Sequence, residues 1–164
     1  RVASRGLGDV YKRQILTKNQ QDMKISIGND HAGVDYKKHI VEYLNEENIE
    51  VENYGTDSAE SVDYPDFAHP VSRDVSDGES ELGILICGSG NGVCMTANKY
   101  KNVRAALCWN KELAKLGRTH NDANIVCIPA RFITKEEAVE IVKTFMNEEF
   151  EGGRHQRRVE KISK

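Results

Sequence analysis

From Met23 onward, short apolar runs alternate with longer amphipathic stretches, and that alternation leaves few architectures open. The runs at 24–28, 50–54, 82–87, 104–109 and 124–129 are each apolar enough to lie inside a sheet. Helical patterns fill the gaps at 34–48, 66–76, 93–101 and 111–118, and a capping box, Thr134-x-x-Glu137, opens a further helix towards 149. In the first helix Val34, Ile40, Val41 and Leu44 fall on one side, with Lys37, Lys38, Glu42 and Glu46 read as outward. The expectation is an α/β fold of three layers: a five-stranded parallel sheet, doubly wound and Rossmann-like, in a single domain.

Size and charge narrow the function classes. A chain of 164 residues with 38% hydrophobic and 30% charged residues suits one globular domain with one core. No run approaches the roughly 20 apolar residues of a membrane-spanning helix. A net charge of −3 gives no general attraction to nucleic acid, so any anion site must be local. The local positive patch is the tail, where Arg154, Arg157, Arg158, Lys161 and Lys164 face a single acid, Glu160. The four cysteines, at 87, 94, 108 and 127, form no Cys-x-x-Cys pair and suggest reduced thiols in a cytoplasmic protein, without structural zinc. Residues 1–22 lack apolar periodicity and precede Met23, so they read as a non-native or disordered leader, with the domain proper at 23–164.

In a doubly wound sheet, ligands bind beyond the carboxyl ends of the strands. The first strand runs into Asp30-His31, which reads either as a carboxylate and imidazole at the rim or as a helix cap beside a surface histidine. The third ends in Cys87-Gly88-Ser89-Gly90-Asn91-Gly92. Three glycines in five residues let backbone N–H groups approach an anion ahead of a helix, and the same field can activate the Cys87 thiol as base or nucleophile. Val93 stands where a dinucleotide-binding G-x-G-x-x-G needs its third glycine, and the Lys-Ser/Thr of a P-loop is missing. A tight turn with a structural cysteine is the plainer alternative. Ahead of the fifth strand, His120 and Asn121 offer a general acid and a polar partner, or else a solvated loop. Arg131 follows that strand. If the tail is helical, Arg154 and Arg158 share a face suited to a phosphate. Cys94, Cys108 and Cys127 read as core.

The pieces occur in one order: Asp30-His31, Asp63-Tyr64-Pro65, Ile86-Cys87-Gly88-Ser89-Gly90-Asn91-Gly92, Arg118-x-His120-Asn121-Asp122 and Gly152-Gly153-Arg154-His155-Gln156-x-x-Val159. This combination, spread over essentially all of 23–164, resembles the type B ribose 5-phosphate isomerases. Their wider family includes galactose 6-phosphate and allose 6-phosphate isomerases. The resemblance implies isomerisation of a phosphorylated sugar with neither metal nor cofactor. It makes Cys87 the base between C2 and C1, with Ser89 and the N–H groups of Gly88, Gly90, Asn91 and Gly92 steadying the enediolate. His120 would open the sugar ring, aided by Asp30 and Tyr64. Arg154, Arg158 and His31 would hold the phosphate, and Asn121 and Arg131 the rest of the substrate. A homodimer with the site at the subunit interface is implied too, with pairing of dimers left open. Ser89 stands where the family often has Thr, which keeps the hydroxyl. A hexose phosphate substrate and a non-catalytic sugar-phosphate-binding module are the competing expectations.

Overall fold

Leu82–Cys87 is buried at every position, and so is Ile125–Pro129. Only strands covered on both faces bury such continuous apolar runs. These two are the centre of the sheet in the computed structural model, which describes residues 22–164. Apart from Asp22, the leader reading therefore falls outside the described residues.

The strands are β1 (Lys24–Asn29), β2 (Glu50–Asn53), β3 (Leu82–Cys87), β4 (Ala105–Leu107) and β5 (Ile125–Pro129). The helices are α1 (Val34–Glu46), α2 (Tyr64–Asp77), α3 (Asn91–Ala97), α4 (Lys111–Asn121), α5 (Lys135–Asn147) and α6 (Arg154–Lys161), with a short 3₁₀ turn at His31–Gly33. All strand pairs are parallel, in the order β2-β1-β3-β5-β4. The chain steps outward from β1 to β2, returns to β3 on the other side, goes out to the edge at β4, and comes back to seat β5 between β3 and β4.

Strand side chains alternate between two cores. Ile25, Ile27, Ile84, Ile86, Val126 and Ile128 pack under α1, α4 and α5 with Ile40, Leu44, Ala114, Ile141 and Phe145. Leu85, Cys87, Ile125 and Cys127 face α2 and α3, meeting Ala68, Val71, Val75, Val93 and Ala97. The expected class, sheet and layers are therefore present. No helix among the described residues is long and apolar enough to cross a membrane.

Three expectations need correction. Lys37 does not point outward: it is 2% exposed, and its ammonium donates to the Thr56 carbonyl at 2.7 Å and to Asp57 Oδ1 at 2.5 Å. Helix α4 runs three residues past 118, because Asp122 takes a left-handed conformation (φ 48°) and its N–H closes on the Arg118 carbonyl. His120 and Asn121 are therefore helical, not part of a loop. Helix α3 begins at Asn91 and stops at Ala97, shorter than 93–101, because the chain turns away through Asn98 to reach β4.

Candidate functional site

Two groups of side chains answer to the expected site, one at each end of the sheet. At the carboxyl end, β1 and β3 stay paired but the chain leaves them towards opposite sides of the sheet, the switch point at which a doubly wound sheet forms its crevice. The Asp30 N–H donates to the Ile86 carbonyl (3.1 Å), tying the two strand ends together. Its carboxylate accepts from the Ala32 N–H (3.0 Å), so Asp30 is a cap as well as a rim residue. His31 Nδ1 accepts from the Val62 N–H (3.2 Å), fastening the long β2–α2 connection over the end of β1. Lys37 and the Asn29 amide hold that same connection through the Thr56 carbonyl.

Beside this lies the glycine loop. Gly90 has φ +74°, a conformation that side chains disfavour, and a Cβ there would come within 2.4 Å of the Leu107 side chain. That conformation aims the Gly90 N–H at Cys87 Sγ, 3.2 Å away. The Asn91 N–H turns to Ser89 Oγ at the same distance. Two of the N–H groups expected to face an enediolate are thus engaged inside the loop. Because α3 has only seven residues, individual N–H groups rather than a long helix supply the local field. The ring of Tyr64, at the start of α2, lies on Gly92, where a Cβ would be 2.5 Å from Tyr64 Cζ. From β5, Ala130 and Arg131 donate backbone N–H groups to the carbonyls of Cys87 (2.9 Å) and Gly88 (3.0 Å), and the Arg131 guanidinium covers Gly88. Asp30, His31, Tyr64, Cys87, Gly88, Ser89, Gly90, Asn91, Gly92 and Arg131 therefore gather on one rim. Next to it, Ser89 and Asn91 open onto a cleft of about 390 Å³ with Trp109 and Phe132, whose rings are 54% and 75% exposed.

The second group lines another cleft, of about 580 Å³, with His120, Asn121, Arg154, His155 and Arg158 among its walls. Helix α6 does form, so Arg154 and Arg158 share its face one turn apart. Arg118 anchors the end of α4 by donating to the carbonyls of Ala123 (2.6 Å) and Glu148 (3.3 Å), with its guanidinium over the Phe145 ring. His120 stacks on His155, ring centroids 4.0 Å apart and 15° from parallel. Burial, and then the neighbouring His120 and Arg154, hold the His155 imidazole below its ordinary range.

The structure does not bring these groups together within one chain. Helix α4 returns towards the amino end of β5, whereas Cys87 pairs with Pro129 at its carboxyl end. Four residue steps of strand, about 13 Å, lie between those ends. Each end carries part of the expected set of groups: a thiol and hydroxyl at one, an imidazole and paired guanidiniums at the other. The remaining cysteines are core or near it. Burial pushes Cys108 up to about 12, while Cys94, half-buried, is lowered chiefly by its hydrogen bond with Cys127.

Sequence reasoning missed the burial of Lys37, the exposed rings of Trp109 and Phe132 beside the glycine loop, and the stacking of His155 on His120. Lys37 had a signal: three residues after Val34 and three before Ile40, it lies on the apolar stripe of α1.

Residues 25–162 match the Ribose/Galactose Isomerase family. The fold is similar to a ribose 5-phosphate isomerase from Thermotoga maritima, with TM-score 0.84 and 47% identity, over 87% of this chain and 98% of that one. It is also similar to ribose-5-phosphate isomerase B from Mycoplasma genitalium with bound ribulose-5-phosphate, with TM-score 0.83 and 45% identity, over 87% and 95% of the two chains. Ribose-5-phosphate isomerase B of Escherichia coli (strain K12) is 44% identical over 140 residues, which cover 85% of this chain and 94% of that protein. With the family match running over residues 25–162 and these relatives covered over most of both chains, the chain belongs to the ribose/galactose isomerase family.

Proposed function

We propose that this protein interconverts ribose 5-phosphate and ribulose 5-phosphate through a cis-enediol. The observation that carries the reading is the glycine loop, which holds a buried thiol and a hydroxyl at the crevice between β1 and β3. A thiol held there can move a proton between adjacent carbons without cofactor chemistry.

Ribose 5-phosphate enters as a closed furanose. His120 moves a proton from the anomeric hydroxyl and protonates the ring oxygen, which breaks the C1–O4 bond and leaves an aldehyde at C1. Cys87 then takes the C2 proton, and its electron pair forms the C1–C2 double bond as charge moves to the C1 oxygen. Ser89 and the loop N–H groups other than those of Gly90 and Asn91, which bond within the loop, stabilise that charge. Return of the proton to C1, with transfer of the O2 proton to O1, completes the ketose. Asp30 and Tyr64 assist at the ring, and Asn121 and Arg131 orient the sugar. His31, Arg154 and Arg158 hold the phosphate by charge-assisted hydrogen bonds.

This scheme needs both ends of the sheet in one place, so the working unit is a homodimer in which the His120 end of one copy meets the Cys87 end of the other. The setting is the cytoplasm, where phosphorylated sugars are made and kept. The test is turnover of purified protein, with chelator present, on ribose 5-phosphate, allose 6-phosphate and galactose 6-phosphate. Preference for ribose 5-phosphate is the expected result. Preference for a hexose phosphate would keep the chemistry and change the substrate, and no turnover on any of the three would leave a sugar-phosphate-binding module.

A further inference from the structure

His120, Glu151 and His155 bring three ligand-type atoms within 4.8 Å of one another. A metal ion binds an imidazole in the plane of the ring, on a nitrogen lone pair. Here the two rings lie face to face, so their lone pairs run side by side instead of converging on one ion. The Glu151 carboxylate is 4.0 Å from His120 Nε2 and 3.6 Å from His155 Nε2, beyond hydrogen-bonding distance from both. What fixes the His120 ring is therefore the stacked face.

We propose that His155 is a positioning residue for His120, and that it couples the ring-opening group to the phosphate clamp. The inference rests on the reading of His120 as that group. His120 is partly exposed on the last turn of α4, where its ring is otherwise free to turn. His155 is 8% exposed and sits in the first turn of α6, its N–H closed on the Gly152 carbonyl at 3.0 Å. That burial limits the rotamers open to it, so it presents a flat wall to His120. Its surroundings hold its imidazole below the ordinary range, which favours the uncharged ring at the stacked face. His155 also lies between Arg154 and Arg158 on one rigid helix, and the Glu151 N–H ties the approach to that helix to the Thr119 carbonyl at 3.0 Å. The separation of phosphate and ring oxygen is thereby referred to a single element. Misplacing a catalytic group by about 1 Å costs on the order of 10²-fold in rate.

The test compares His155→Ala, His155→Phe and His120→Ala in two assays. Conversion of ribose 5-phosphate needs ring opening. Exchange of the C1 hydrogen of ribulose 5-phosphate with D₂O does not, because a ketopentose phosphorylated on O5 has no hydroxyl placed to close a five-membered ring. His155→Ala is expected to lower conversion about tenfold or more and to leave exchange within about threefold. His155→Phe, which keeps a flat ring on the same two torsions, restores conversion to within about threefold. His120→Ala shows the same split with a larger loss. Equal loss in both assays for His155→Ala, loss in neither, or failure of the Phe variant to restore conversion overturns the role of His155. If His120→Ala shows no split, the ring-opening assignment falls first and this inference with it.

Discussion

Lys37 carries an amine into the buried face of α1, yet its environment makes that tolerable. Its stem is buried among apolar groups while the ammonium reaches Thr56 and an Asp57 whose side chain is 81% exposed, so the pair emerges at solvent. Replacing Lys37 by Met keeps the stem and removes the charge and both hydrogen bonds. That variant should unfold in urea with about 1–2 kcal/mol less stability, and Lys37→Ala should lose more because it adds a cavity. The partner gives a pH test. The Lys37 hydrogen bond and charge hold the Asp57 carboxyl below its ordinary range. A depressed folded-state value stabilises the protein above the unfolded carboxylate pKa of about 3.9, and the benefit disappears as pH falls through the folded value. Urea midpoints of the wild type should therefore drop more than those of Asp57→Asn between pH 6 and pH 3. Parallel curves would show that the pair contributes nothing. Lys37 was legible by its spacing and misread by its charge, since no periodicity argument says where a lysine finds a partner twenty residues away.

At the scale of elements, the proposed mechanism makes the glycine loop the place where backbone conformation bears on chemistry. Gly90→Ala forces a side chain onto φ +74° and against Leu107, and the relief available is to rotate the 90–91 peptides. That should cost about 1–3 kcal/mol of stability. It should also lower kcat by roughly 10²-fold, because the N–H on the Cys87 sulfur moves with the peptide. Thermal unfolding and steady-state kinetics on the same preparation check both parts; wild-type kcat in a folded Gly90→Ala protein would separate the loop geometry from the reaction. Elements with local signals were readable: Thr134 accepts from the Glu137 N–H at 3.1 Å as its capping box requires, and β3 has its expected bounds. The end of α4 was not. Its left-handed cap is an aspartate, where a glycine would have announced it.

For the whole molecule, the separation of Cys87 from His120 means that the proposed mechanism requires two copies of the chain to share one site. Its position ahead of β5 already placed His120 at the amino end of that strand. The strand order leaves no local mark in the residues, and the proposed pairing of two copies leaves none either. Cys87→Ala and His120→Ala should each be nearly inactive alone. Mixed, unfolded and refolded together, they should recover about a quarter of wild-type activity, because half the dimers are hybrids and each hybrid rebuilds one intact site of two. A mixture as inactive as its parents would place both residues in a site made by one chain. The order of the sheet bears on how the chain is made as well. During synthesis β3 and β4 emerge before the strand that belongs between them, and each must wait with an open edge until residue 129 has left the ribosome. The middle of the molecule is thus its last joint to close, and a chain cut short before β5 would hold two unpaired edges ready to stick to a neighbour.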